Sequence, residues 1–348
     1  MLLLLAALRI LAGMYPDMVE HAYARSIYPR IAAVLASVTG WMPFSIAEGV
    51  AVLLMVTGVS AAVRGVLRAL RSPAPFRALG DGVLRIAIAA GAAYLVFLLL
   101  WGLNYQRQPL AASTGLSMAA PLPGELAAAC AELIAQSEEL RASVEEDGNG
   151  VAIVRGGITG ALSGASLGYE ALDDQWPVVV GETVRAKRVL LSRVLAFLGI
   201  SGIFIPFTGE ANVNTTLPVW TLPFVAAHEV AHQRGFARED EANFLAYAAS
   251  ARHPDPAARY SAALEGSLFL LAALRVADPP AHQVLSTRRG PAVRRDLEAL
   301  EAWRRRYEGR AADVQEKVND AYLRAQGQDG VATYGRMVDL LLAERRAR

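Results

Sequence analysis

HEVAHQRGFAREDEANF, His228 to Phe244, sets two histidines four residues apart and follows them with a run of acids. On a helix that spacing puts both imidazoles on one face, a turn apart, within reach of a single ion. Glu229 falls between them, beside such an ion and not on it, where a carboxylate can take a proton from a metal-bound water and later deliver it to a leaving amine. Catalytic zinc takes three protein ligands and keeps a fourth position open. Gly235 breaks the first helix and turns the chain, and Glu239, Asp240, Glu241 and Asn243 then occupy the opening turns of a second. Glu239 and Glu241, two residues apart and so on different faces, are both open as the third ligand.

The rest of the composition narrows the setting. Of 348 residues 54% are hydrophobic, more than a soluble chain carries, so part of the protein belongs in lipid. Its 34 basic and 33 acidic residues nearly cancel, and no basic block is interleaved with aromatics, which sets nucleic acid aside as a partner. Cys130 is the single cysteine, excluding an intrachain disulfide, a Cys-x-x-Cys pair and a multi-thiolate zinc site. A metal here relies on histidine and carboxylate.

VLRIAIAAGAAYLVFLLLWGLN, residues 83–104, carries one charge, Arg85, and ends at the interfacial aromatics Trp101 and Tyr105, as a membrane span does. A second span is expected at about 44–63. The start, MLLLLAALRILAGMYP (1–16), lacks a basic n-region and a small-x-small cleavage site, so it reads as an uncleaved first span and not as a signal peptide. Arg64, Arg68, Arg71, Arg77 and Arg85 face only Asp81 between the second and third spans, which puts that loop and the amino terminus in the cytoplasm. Everything after Tyr105 then lies outside, giving a multi-pass cell-membrane protein with a transmembrane region at 1–105 and an extracytoplasmic domain at 106–348. In that domain helices are expected at 125–144, 182–198, 224–234, 239–251, 256–276, 294–307, 311–325 and 330–346. Residues 148–168 are glycine-heavy and expected to be irregular. The apolar stretch 189–207, interrupted by Arg193, Gly199 and Gly202, is expected to be a buried helix plus a strand at 201–206, not a fourth span.

Residues 228–244 resemble the gluzincin metallopeptidases, in which a glutamate on a following helix completes the site in an E-x-x-A-D pattern. EDEAN, Glu239 to Asn243, matches with Asn in place of Asp. The resemblance implies Zn²⁺ held by His228, His232 and Glu239, with Glu241 the alternative ligand, and Asn243 orienting a ligand histidine. An amide accepts a hydrogen bond from an imidazole but does not raise its basicity as a carboxylate does. The metzincin pattern HExxHxxGxxH fits only through Gly235, because its third histidine falls at Arg238. The wider chain resembles an uncharacterised bacterial family of three-span membrane proteins with an HExxH ectodomain, in IYP (27–29), WGLNY (101–105), PFTGEANVN (206–214) and YGRMVDLLL (334–342).

The fold expected is mainly α: three N-terminal transmembrane helices followed by a helical zincin-like (α+β) ectodomain with a short sheet. Strand 201–206 suits an edge that borders the cleft and pairs with an extended peptide. Glu210, Asn212 and Asn214 either contact substrate or form a capped turn. Tyr247, Tyr322 and Tyr334 are candidate donors to the transition state. His253 and His282, in loops near prolines, are expected at the surface. The function expected is hydrolysis of a peptide or protein substrate at the bilayer by zinc-activated water, with Glu229 as base and then acid. The alternative is a non-enzymatic metal-binding membrane sensor or assembly protein. Oligomeric state is not legible in the sequence.

Overall fold

A computed structural model describes residues 2–122, 124–181, 185–328 and 336–348, with the backbone alone at residues 2–4 and 6. Long runs of Ala, Leu and Val with no proline past the first residue make α4 (Ile46–Leu70) and α5 (Pro75–Leu100), after α1 (Leu2–Met14), α2 (Pro16–Met18), a π-helical run at Val19–Ile27 and α3 (Tyr28–Thr39). At 1.5 Å per residue α4 and α5 exceed the roughly 30 Å of bilayer hydrocarbon. Leu53, Leu54, Met55, Ile86 and Ile88 project from them exposed, an outward apolar surface that lipid and not water satisfies. The arginine-rich stretch between the spans is mostly helical, with Arg64 and Arg68 in the last turns of α4, Arg77 and Arg85 in α5, and Arg71 alone in the short turn between them. Helix α1, thirteen residues long, runs beside the last turns of α5, with the Arg9 guanidinium on the Tyr94 hydroxyl at 3.1 Å.

Among the described residues a third helix is also long and apolar enough to cross a membrane, α13 (Pro256–Ala277), yet more than half of its apolar window is buried inside the protein. It is a core helix. It packs with α7 (Glu125–Arg141), α11 (Leu222–Gln233), α12 (Glu239–Ala251) and α17 (Met337–Ala347), around Leu133, Phe244, Leu245, Leu264 and Leu342. Helix α6 (Leu110–Thr114) precedes this group, and α14 (Pro279–Ser286), α15 (Pro291–Tyr307) and α16 (Arg310–Ala325) lie between α13 and α17.

The sheet has three strands, β1 (Lys187–Arg188), β2 (Gly202–Ile205) and β3 (Glu210–Val213), in the order β1-β3-β2. Central β3 is wholly buried, parallel to β1 and antiparallel to β2 with Gly202 opposite Val213 and Ile205 opposite Glu210. The expected strand 201–206 is therefore present, and it is an edge strand.

Three readings are corrected. The glycine-heavy stretch folds partly as α8 (Gly157–Gly164) and runs on into α9 (Leu167–Gln175), because glycine there permits close packing: a Cβ at Gly168 would stand 2.0 Å from the Ala249 carbonyl oxygen of α12. The helix expected over 182–198 is β1 followed by the short α10 (Ser192–Phe197), since β3 offers Lys187 and Arg188 a parallel partner; residues 182–184 lie outside the described residues. That short helix is also not buried, and Leu190, Leu191, Val194 and Phe197 stand exposed.

Buried polar contacts tie the spans to the rest. Glu210 accepts the first free amides of α4, Ile46 at 2.9 Å and Ala47 at 2.7 Å, and pairs with Lys187 at 2.6 Å. An anion at a helix N-terminus is favoured by the orphan N–H groups and the helix dipole. Glu48, in the first turn of α4, accepts the Leu190 and Leu191 amides in return.

Candidate metal centre

Helix α11 begins with proline in its first turn and ends in a left-handed turn at Gly235 (φ 88°). There the Phe236 amide donates to the Ala231 carbonyl at 3.1 Å and the Gly235 amide to His232 at 3.0 Å, the paired closure that a C-terminal glycine allows. A Cβ on Gly235 would also lie 2.8 Å from the Tyr28 ring, so both the backbone and the space require glycine. The reversal brings the first residue of α12, Glu239, back against α11.

There the expected ligands meet. His228 Nε2 and His232 Nε2 are 3.1 Å apart, His228 Nε2 and Glu239 Oε2 3.3 Å, and His232 Nε2 and Glu239 Oε1 3.7 Å. Ligands of a tetrahedral zinc with bonds of about 2.0–2.1 Å stand roughly 3.3 Å from one another. The triangle therefore fits that ion. The His232 ring is fixed from behind, with Nδ1 2.7 Å from the Phe236 carbonyl, so its proton sits on Nδ1 and the Nε2 lone pair faces the triangle.

Electrostatics favour positive charge at the centre. Burial opposes protonation of His232, but Glu239 beside it outweighs burial and pushes the imidazole up to about 9. Burial raises Glu239, yet His232 and His228 more than reverse this and hold it well below the usual carboxylate range. A divalent cation supplies the charge that a proton supplies in its absence. Glu229, beside the triangle, is pushed up to about 7 by burial, an effect the two histidines partly offset. Its Oε2 has no hydrogen-bond partner among the described residues.

The cluster opens into a cavity of about 430 Å³. One wall is β2 and the residues leading into it, Ile200 to Phe204; the opposite wall includes Phe97, Trp101 and Tyr105, from the end of α5 and the turn after it, and Tyr322 of α16. Asn243 lines the cavity too, but its amide nitrogen is buried without a partner among the described residues.

The other candidates lie elsewhere. Glu241 turns away, accepting the Leu110 amide at 2.7 Å and the Arg238 guanidinium at 3.3 Å, so the alternative ligand is not in the triangle. Glu210 caps α4. Asn212 donates to the Glu210 carbonyl and faces a groove on the α4 side of the sheet. Asn214 follows the capped-turn reading, donating to Ile200 and accepting from the Thr216 amide and hydroxyl. Tyr247 is buried against Gly266 on α13 and does not line the cavity. Tyr322 does line it, its hydroxyl 3.1 Å from that of Tyr105. Tyr334 lies outside the described residues. His253 is buried, not at the surface, and its ring bridges the Gly164 carbonyl and the Asp255 amide.

Sequence reasoning missed the residues that hold the end of α11. The last carbonyls of a helix have no partner within it. Here the Tyr28 hydroxyl donates to Gln233 at 2.6 Å, Trp101 Nε1 to His232 at 3.0 Å and Arg107 to Gly235 at 3.0 Å. Arg107 is itself paired with buried Glu20 at 2.8 Å and stacked over Phe236. The only available signal was that Tyr28 and Trp101 belong to IYP and WGLNY. Gly202 was also missed as a site residue: a Cβ there would stand 2.4 Å from Glu229 Oε1, so glycine lets β2 approach the carboxylate.

Residues 23–342 match the family described as "Protein of unknown function (DUF3810)". The chain belongs to that family. IYP, WGLNY and PFTGEANVN, more than a hundred residues apart at their extremes, fall within the matched region and converge on α11 and the elements packed against it. No curated protein and no solved structure matches the chain.

Proposed function

We propose that this protein is a membrane-anchored zinc metallopeptidase whose site faces the extracytoplasmic side. The observation that carries the reading is the triangle of His228, His232 and Glu239, three lone-pair donors at the separations of a tetrahedral ion, with Glu229 unpartnered beside it and a cavity in front. Zinc bound there lowers the pKa of a bound water and polarises a carbonyl. His228 and His232 would hold the ion through Nε2, and Glu239 through a carboxylate oxygen. Glu229 would take the proton of the attacking water on its free Oε2 and return it to the leaving nitrogen. Beyond β2 the sheet has no further strand among the described residues, so its edge can pair with an extended peptide and lay it across the triangle. Tyr322 and Tyr105, on the opposite wall, present hydroxyls that can donate to developing negative charge. The arginines clustered at the end of α4, in the turn and at the start of α5 support a cytoplasmic position for that turn, with the site across the membrane from it.

The test is Glu229→Gln in the full chain, assayed against a mixed peptide library with metal content measured in parallel. Zinc retained and hydrolysis lowered by about 10²–10⁴-fold is expected. Hydrolysis at the wild-type rate would remove Glu229 from its role.

A further inference from the structure

The strand that borders the cleft has a second side. Ile203 of β2 lines the cavity and also a groove between the sheet and the first turns of α4, where Val50, Ala51 and Leu54 face Val194, Ile205 and Phe207. The groove is almost wholly apolar and open. Around it, Leu190, Leu191, Val194 (51% exposed) and Phe197 (53%) project from the start and length of α10, with Phe207 beyond β2. A soluble domain gains nothing by leaving this many large apolar side chains together in water, and a patch of this kind marks a partner or a membrane.

Its continuity names the occupant. Val50, Ala51, Val52 and Leu54 of α4 carry the apolar surface of the span onto the groove wall, and Glu48, which also lines the groove, pins the start of α10 to the first turn of that same helix. Trp41, 69% exposed just before α4, occupies the place of an interfacial aromatic. Arg188 and Arg193, both exposed, are cations of the kind that meet headgroup phosphates beside an apolar patch. On the other side of the cleft the wall is the end of a span, because Phe97 lies within α5 and Trp101 directly follows it. Both rims of the cleft therefore stand at the level where the spans leave the hydrocarbon.

We propose that the outer leaflet of the bilayer covers the exposed face of α10 and β2, and that the cleft takes juxtamembrane segments of membrane-anchored polypeptides. The lipid contact stands on the apolar continuity alone; the substrate class rests on the metallopeptidase reading. A soluble peptide must find the cleft from bulk water, whereas an anchored one is already confined to the plane in which it opens, and confinement raises effective concentration.

Two measurements on the full chain in vesicles of phosphatidylethanolamine and phosphatidylglycerol test this. Spin labels at Val194→Cys and Phe197→Cys are compared with Leu54→Cys on α4 and with Val284→Cys, exposed on α14; native Cys130 is buried. Labels at 194 and 197 that favour collision with oxygen over a nickel chelate, as at 54 and unlike 284, are expected; labels that behave as at 284 overturn the proposal. In the second, one randomised segment is supplied either fused to a transmembrane helix or as free peptide. Anchored cleavage faster by about tenfold or more supports the substrate class, and equal rates overturn it. Labels in lipid with neither form cleaved uphold the lipid contact and count against the metallopeptidase reading.

Discussion

Two of the charge clusters in this protein, one around Asp296 and one around His232, are built on opposite logic. In the first, Asp296 is fully buried and accepts from Arg141 at 2.6 Å, the Tyr260 hydroxyl at 2.5 Å and the Ala152 amide at 2.8 Å. Donors and acceptors balance, and the group joins α7, α13 and α15 without needing anything further. In the second, His228, His232 and Glu239 converge with His232 Nδ1 committed to Phe236, and a positive charge between them, a proton or a cation, is what balances the group. A structural network closes on itself; a ligand set leaves a vacancy of charge at its centre. A convergence of this kind is what a bound cation would satisfy, which is the reading proposed above.

The contrast can be broken in several ways. The largest effect expected is on chemistry: Glu229→Gln lowers hydrolysis by about 10²–10⁴-fold while the urea midpoint barely moves, since the glutamine carbonyl oxygen can still accept the Phe204 amide. Next, Asp296→Ala leaves the Arg141 guanidinium buried and costs about 3–5 kcal/mol in urea unfolding, with zinc content per folded chain unchanged. Gly202→Ala, by forcing a methyl group against Glu229, costs about 1–3 kcal/mol and reduces turnover with zinc retained. Smallest is Trp101→Phe, which removes one hydrogen bond to the His232 carbonyl and costs about 1 kcal/mol by the same unfolding measurement. If Asp296→Ala lost zinc and Glu229→Gln unfolded the chain, the two clusters would have been assigned the wrong way round.

How much of this was legible in the sequence follows from range. His228, His232 and Glu239 are joined by local rules, a four-residue spacing and a glycine turn, and α12 runs from Glu239 to Ala251 as expected. Spans α4 and α5 were legible because lipid imposes length and composition on a continuous segment. The clamp on α11 was not, because Tyr28 and Trp101 reach it across 205 and 131 residues and no periodicity records such contacts. Glu210 was misplaced for the same reason: in the sequence it sits in a turn-like polar cluster, and only the fold shows the bare N-terminus of α4 that it caps. In residues 148–168 glycine content pointed to loops, whereas tight packing of Gly168 against α12 draws the chain on into helix. Exposure of α10 was hidden because an apolar run reads alike whether it faces a core or a lipid.

Metal content of the purified full chain tests the central claim most directly, measured on wild type, Glu239→Ala and Glu241→Gln. Stoichiometric zinc in wild type and Glu241→Gln, and its loss in Glu239→Ala, is what the triangle predicts. Zinc that survives Glu239→Ala, or a wild-type chain that takes up none, would contradict it.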